Sequence, residues 1–131
     1  MKKLLFTLLF AITTCLTVSA DAQYSLTGKI GGKYAVVFNF YYHSNGRING
    51  SYYYTSRGAG NRIELRGYRS GKTWRIEEYV DGYYNGVFVL VPSFKAKNRR
   101  YLPVTVSGTY AAADGRSFGV RMSGTAEDYD W

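Results

Sequence analysis

The sequence predicts an all-β protein: an antiparallel up-and-down meander of about eight strands that closes into a small barrel. Three observations lead there. The segment Asn45-Gly46-Arg47-Ile48-Asn49-Gly50-Ser51-Tyr52 returns 36 residues later as Asp81-Gly82-Tyr83-Tyr84-Asn85-Gly86-Val87-Phe88, a tight turn feeding a strand with a central glycine and an aromatic residue two positions on. The chain has 14 tyrosines and 15 glycines but only two prolines, a composition that suits strands joined by tight turns. No apolar pattern of helical period runs long enough for a helix beyond the first 22 residues.

The elements follow in order. Met1-Lys2-Lys3, the apolar run from Leu4 to Ile12 and the small residues Val18-Ser19-Ala20-Asp21-Ala22 have the three regions of a Sec-type secretory signal peptide, too short to span a membrane. Cleavage after Ala20 or Ala22 leaves a single domain over residues 23–131. Cys15, the only cysteine, falls inside this leader behind Thr14, whereas lipoprotein signals place Gly, Ala or Ser there, so a lipid anchor is disfavoured. The mature chain then has no disulfide, no thiolate nucleophile and no thiolate-bound metal.

Strands are expected near 24–30, 33–43, 47–56, 61–69, 72–79, 83–91, 101–111 and 116–123. Three hairpins carry Asn-Gly or Asp-Gly: Ser44-Asn45-Gly46, Val80-Asp81-Gly82 and Ala113-Asp114-Gly115. Such pairs make either two-residue turns or three-residue loops that end in a left-handed glycine, and a slip of one residue moves every side chain to the other face. A three-residue loop sets Tyr110 opposite Phe118, Gly108 opposite Val120 and Val106 opposite Met122. In the first hairpin it sets Tyr42, Phe40, Phe38 and Val36 opposite Ile48, Gly50, Tyr52 and Tyr54. The repeat extends this form to the third, placing Glu78, Ile76 and Trp74 opposite Tyr84, Gly86 and Phe88. A two-residue turn at Ser70-Gly71 pairs Gly67 with Trp74, Leu65 with Ile76 and Glu64 with Glu77. Glycines 28, 50, 67, 86 and 108 give a strongly curved sheet its bends, or room for an aromatic ring on the next strand. Apolar residues on both faces of the second and sixth strands leave a two-sheet sandwich as the alternative to a barrel.

The interior-facing set is heavily aromatic: Tyr34, Phe38, Phe40, Tyr42, Tyr52, Tyr54, Trp74, Tyr84, Phe88, Tyr110 and Phe118. An eight-stranded barrel is wide enough to be filled by such side chains or to hold one small ligand. Glu78 shares their parity, and a carboxylate facing a barrel lumen must be paired, protonated or placed at a wet mouth. Glu78, Tyr84 and Trp74 are therefore the candidate ligand-binding residues at the mouth.

Charge supplies a second candidate. Lys2, Lys3 and Asp21 fall in the leader, so 15 basic and 8 acidic side chains remain of 17 and 9, a formal charge of +7 that draws the domain to acidic surfaces. Four cations, Lys95, Lys97, Arg99 and Arg100, crowd the connection after the sixth strand and suit phosphate, sulfate or uronate groups. Outward-facing Tyr41, Tyr53, Tyr68 and Tyr79 lie among Asn39, Asn49, Arg62, Arg66 and Arg75, a surface fit for sugars or other amphipathic partners. Residues 125–131 form an acidic-aromatic tail, Thr125-Ala126-Glu127-Asp128-Tyr129-Asp130-Trp131.

No catalytic constellation survives inspection. His43 is the only histidine and sits at a hairpin tip, which excludes a multi-histidine metal site and a Ser-His-acid triad. Glu64 and Glu77 fall on the outward face among arginines, not across a cleft as glycosidase carboxylates must. No cofactor site and no specific nucleic-acid motif is present.

In architecture the exported meander is similar to avidins and lipocalins, and thus calycin-like. The Gly-x-Trp signature of lipocalins is replaced by Thr27-Gly28-Lys29-Ile30, and Ser107-Gly108-Thr109-Tyr110 is one residue shorter than the corresponding motif of small-barrel lysozyme inhibitors. No family is assigned on these residues. The functional expectation is a non-catalytic binding protein, periplasmic or extracellular, whose partner is a small molecule, an anionic glycan or an envelope component. The alternative is a structural or protein-interaction module of the cell envelope that uses the Tyr/Arg outer face.

Overall fold

The computed structural model describes residues 22–94 and 101–128. Eight antiparallel strands follow one another: β1 (Ala22–Ile30), β2 (Tyr34–Tyr42), β3 (Arg47–Tyr54), β4 (Ile63–Ser70), β5 (Thr73–Val80), β6 (Tyr83–Phe94), β7 (Tyr101–Ala112) and β8 (Ser117–Asp128), with one 3₁₀ turn at Thr55–Arg57. Each strand pairs with its neighbours in sequence order, and β8 pairs with β1 from Ala22↔Asp128 to Ile30↔Val120. That last seam closes the sheet into a barrel and removes both edges. The sandwich alternative is excluded.

Closure explains why the last strand is longer than the sequence suggests. Glu127 and Asp128 lie opposite Gln23 and Ala22, so residues 125–128 of the expected tail are paired strand, while 129–131 lie outside the described residues. Residues 1–21 of the expected leader lie outside them as well. Among the described residues no helix is long and apolar enough to cross a membrane.

The interior is filled by rings that meet across the barrel axis. Phe38 on β2 reaches Phe88 on β6 with centroids 5.1 Å apart, and Tyr52 on β3 meets the same ring at 5.5 Å. Trp74 on β5 meets Tyr24 on β1 at 5.0 Å and Phe40 on β2 at 5.5 Å. These are edge-on contacts, the arrangement the ring quadrupole favours. Leu26, Val36, Ile48, Leu65, Ile76, Leu90, Val104, Val106 and Met122 complete the core. Tyr24 belongs to the interior set although the sequence reading omits it, whereas Tyr34 is half exposed.

Glycines make this tight coiling possible. A Cβ on Gly28, Gly50, Gly67, Gly108 or Gly124 would lie 1.9–2.3 Å from a carbonyl oxygen of the adjacent strand, a contact no side chain tolerates. At those five positions the neighbouring backbone occupies the space a side chain would fill.

The first and last hairpins have the expected three-residue loops and registers, with Phe38↔Tyr52 and Phe40↔Gly50 in one and Tyr110↔Phe118 and Gly108↔Val120 in the other. The middle two differ. Between β4 and β5 the turn is Gly71-Lys72, not Ser70-Gly71, because the first turn position needs a positive φ and Gly71 supplies it at 63°. The register moves by two, to Gly67↔Ile76 and Leu65↔Glu78, and Glu77 comes to lie opposite Arg66 while Glu64 lies opposite Tyr79.

Candidate functional site

The β5–β6 hairpin builds the site. Its turn is the two-residue pair Asp81-Gly82, with φ of 52° and 83°, the mirror-image turn whose twist matches the strands it joins. Tyr79 then pairs with Tyr84, but Glu78 pairs with Gly86, leaving Asn85 as the extra residue of a β-bulge. The bulge restores inward parity to Gly86, Phe88 and Leu90 and brings the Asn85 side chain onto Glu78.

Glu78 is 2% exposed, the one buried charged side chain among the described residues. Tyr52 donates a short hydrogen bond to Oε1. Asn85 Nδ2 donates to Oε2, as does the Tyr110 hydroxyl at 2.9 Å. No cation among the described residues pairs with it. Burial first, and then the charge of Glu78, raises the Tyr52 and Tyr110 phenols well above the ordinary tyrosine range, so both stay protonated donors. Phe88 lies beneath the cluster, 5.5 Å from Tyr52 and 4.6 Å from Tyr110.

Gly86 is what admits Tyr110. A Cβ there would stand 2.5 Å from the Tyr110 hydroxyl oxygen and 2.7 Å from two ring carbons. The phenol of β7 therefore crosses over β6 at its glycine to reach the acid on β5.

The strand ends place this cluster under one end of the barrel, which carries the turn at 31–33, the loop at 55–62, the Asp81-Gly82 turn and the turn at 113–115. Tyr34 stands edge-on to Tyr54 and Phe118 stacks near Tyr110, giving that end an aromatic rim. Asn85, unlike Glu78, is exposed to solvent.

Only part of the expected mouth comes together. Trp74 lies four residues along β5, about 13 Å away at ordinary strand rise, buried against Tyr24 and Phe40 toward the opposite end. Tyr84 precedes the bulge, so it faces outward, 46% exposed, and packs edge-on against Tyr79. Tyr52, Asn85 and Tyr110 take the places expected of these two residues. Lys95, Lys97, Arg99 and Arg100 lie outside the described residues; the strand ends that flank them, Phe94 and Tyr101, are at the end opposite Glu78.

His43 also stands at that opposite end, its Nε2 2.5 Å from Asn49 Oδ1. On the outer wall, Arg66 bridges Glu64 at 2.6 Å and lies 4.3 Å over the Tyr79 ring, while Arg62 lies 5.0 Å over Tyr53. Among the described residues no three His, Cys, Asp or Glu side chains gather as a metal site would require.

No family model matches the sequence, and no curated protein matches it. Among solved structures, the chain is similar to rhizavidin in its complex with biotin, at 13% identity and a TM-score of 0.46, over 79% of this chain and 92% of that one.

Proposed function

We propose that this is a non-catalytic, exported binding protein that takes a small ligand at the Glu78 end of its barrel. The observation that carries the reading is the convergence of Tyr52, Asn85 and Tyr110 on one buried carboxylate that has no cationic partner among the described residues. A buried acid inside an otherwise aromatic core adds little net stability over a well-packed apolar side chain, which favours a role in recognition. Of the three donors, Tyr52 and Tyr110 are fixed within the core, whereas Asn85 is exposed and sits on a bulge. A ligand amine or hydroxyl replaces Asn85 on Oε2, and its apolar part rests against Tyr54 and Phe118.

A non-catalytic role is supported by the placement of the remaining groups. His43 is at the other end of the barrel, and Glu64 and Glu77 face outward, where Glu77 accepts a hydrogen bond from Tyr79 at 2.8 Å. Export is supported by the leader-like residues 1–22.

The test is a thermal-shift screen of the mature domain against primary amines and polyols, run in parallel on Glu78→Gln. A ligand at a hundred times its Kd adds about 2.7 kcal/mol, which moves the melting temperature of a domain this size by roughly 10 °C. The reading expects a shift in the wild type that the variant loses. Equal shifts in both proteins would sink it.

A further inference from the structure

The outer wall opposite in character to the core carries a feature that the Glu78 site does not use. Arg47 on β3, Tyr68 on β4 and Arg75 on β5 are successive cross-strand partners, Arg47↔Tyr68 and Tyr68↔Arg75, and all three face outward. Tyr68 is 51% exposed, and neither its side chain nor that of Arg47 has a partner among the described residues. The guanidinium of Arg75 reaches only Glu77, at 3.9 Å. Adjacent strands lie about 4.8 Å apart, so the two arginines stand roughly 10 Å from each other with an exposed phenol ring between them.

The neighbouring cation sites differ from Arg47 in how they are held. Arg66 is held by Glu64 and by the Tyr79 ring, and Arg62 is held over Tyr53 with hydrogen bonds to Asn39 and Ser51 at 3.3 and 3.2 Å. Those cations are spent on the wall itself. Arg47 is not, and Lys72 at the adjoining turn also forms no ion pair with a described residue. The wall at this end thus carries an exposed ring flanked by two solvent-accessible cations.

We infer that the Arg47–Tyr68–Arg75 row is a binding site for an acidic polysaccharide. A sugar ring stacks on Tyr68, and carboxylate or sulfate groups on the flanking units meet the planar guanidinium forks of Arg47 and Arg75. The spacing between the two arginines spans about two sugar units, so one chain engages both. Charge complementarity selects an anionic chain, and the central ring selects one built of stackable units. The site is separate from the one at Glu78 and does not depend on it.

The test measures binding of the mature domain to immobilised polygalacturonate and heparin near 0.15 M salt, with dextran as the neutral control. The variants are Arg47→Ser with Arg75→Ser, and Tyr68→Ser alone, each checked for an unchanged melting temperature. Loss of the two arginines is expected to weaken binding at least tenfold and to flatten its salt dependence. Tyr68→Ser is expected to weaken it several-fold at unchanged net charge. Wild-type affinity in Tyr68→Ser would overturn the inference, because a nonspecific polycation does not register the loss of a neutral ring. Failure of the wild type to bind either polymer, equal retention on dextran, or competition by an oligothymidylate at the same midpoint as by the polysaccharide would overturn it too.

Discussion

Replacing Gly86 by alanine tests the account of how the acid is held. The added methyl would lie 2.5 Å from the Tyr110 hydroxyl oxygen and 2.7 Å from Cε1 and Cζ, against an ordinary contact of about 3.5 Å or more. The ring must therefore move by about 1 Å, which takes its hydroxyl out of reach of Glu78 Oε2. Overpacking of a dense core costs about 1–3 kcal/mol, and loss of a hydrogen bond to a buried charged group costs about 1.5–3 kcal/mol. The sum is about 2.5–6 kcal/mol, measured as the shift in urea midpoint at constant m-value. The hydrogen-bond part is already absent in Tyr110→Phe, so Gly86→Ala should cost only the packing part in that background, a coupling of about 1.5 kcal/mol or more. A cost below about 1 kcal/mol, or full additivity of the two substitutions, would refute the claim that Gly86 exists to let Tyr110 reach Glu78.

Two further outcomes follow from the same geometry. The Tyr52 and Tyr110 phenols are raised in the folded protein, so above the ordinary tyrosine pKa of 10.0 the unfolded chain releases protons that the folded one keeps. Their contribution is fully present below pH 10 and is lost above it, with stability falling by about 1.4 kcal/mol per pH unit for each of the two. Urea titrations from pH 9 to 11.5 should show stability falling with pH, less steeply in Tyr52→Phe; a slope equal in wild type and variant contradicts it. On the outer wall, Arg66→Ala removes an exposed pair with Glu64 and a stack on Tyr79, and should leave the urea midpoint nearly unchanged. A larger loss would mean that the wall contributes to the fold and not merely to its surface.

Much of the barrel is written in local sequence. Asn45-Gly46 and Asp114-Gly115 each have a left-handed glycine ending a three-residue loop, and the alternating apolar residues beside them admit only one register. The β5–β6 hairpin defeats the same reasoning because two irregularities act together. A two-residue turn shifts the pairing by one and the bulge at Asn85 shifts it by one more, so inward parity is preserved while every partner changes. Parity is what an apolar pattern reports; partners are not.

That distinction decides which site residues could be read. Glu78 is recognisable from the company of Trp74 and Ile76 on its own strand, and Tyr52 and Tyr110 from theirs, but their convergence is a cross-strand fact. Asn85 gives no signal at all in the sequence, since a bulge residue has no pattern to break. The one hint is Gly86, which a plain strand would avoid, followed on β7 by a tyrosine large enough to cross it. Tyr84 is misread for the converse reason: the repeat with Ile48 places it inside, and the bulge after it places it outside.

The central claim is that the Glu78 end of the barrel holds a ligand, and native mass spectrometry of the mature protein tests it most directly. The protein is purified without refolding from cells that export it, alongside Glu78→Gln prepared in the same way. The wild type should carry an adduct of defined small mass that the variant has lost. Bare protein in both preparations, or an adduct that survives the substitution, would contradict it.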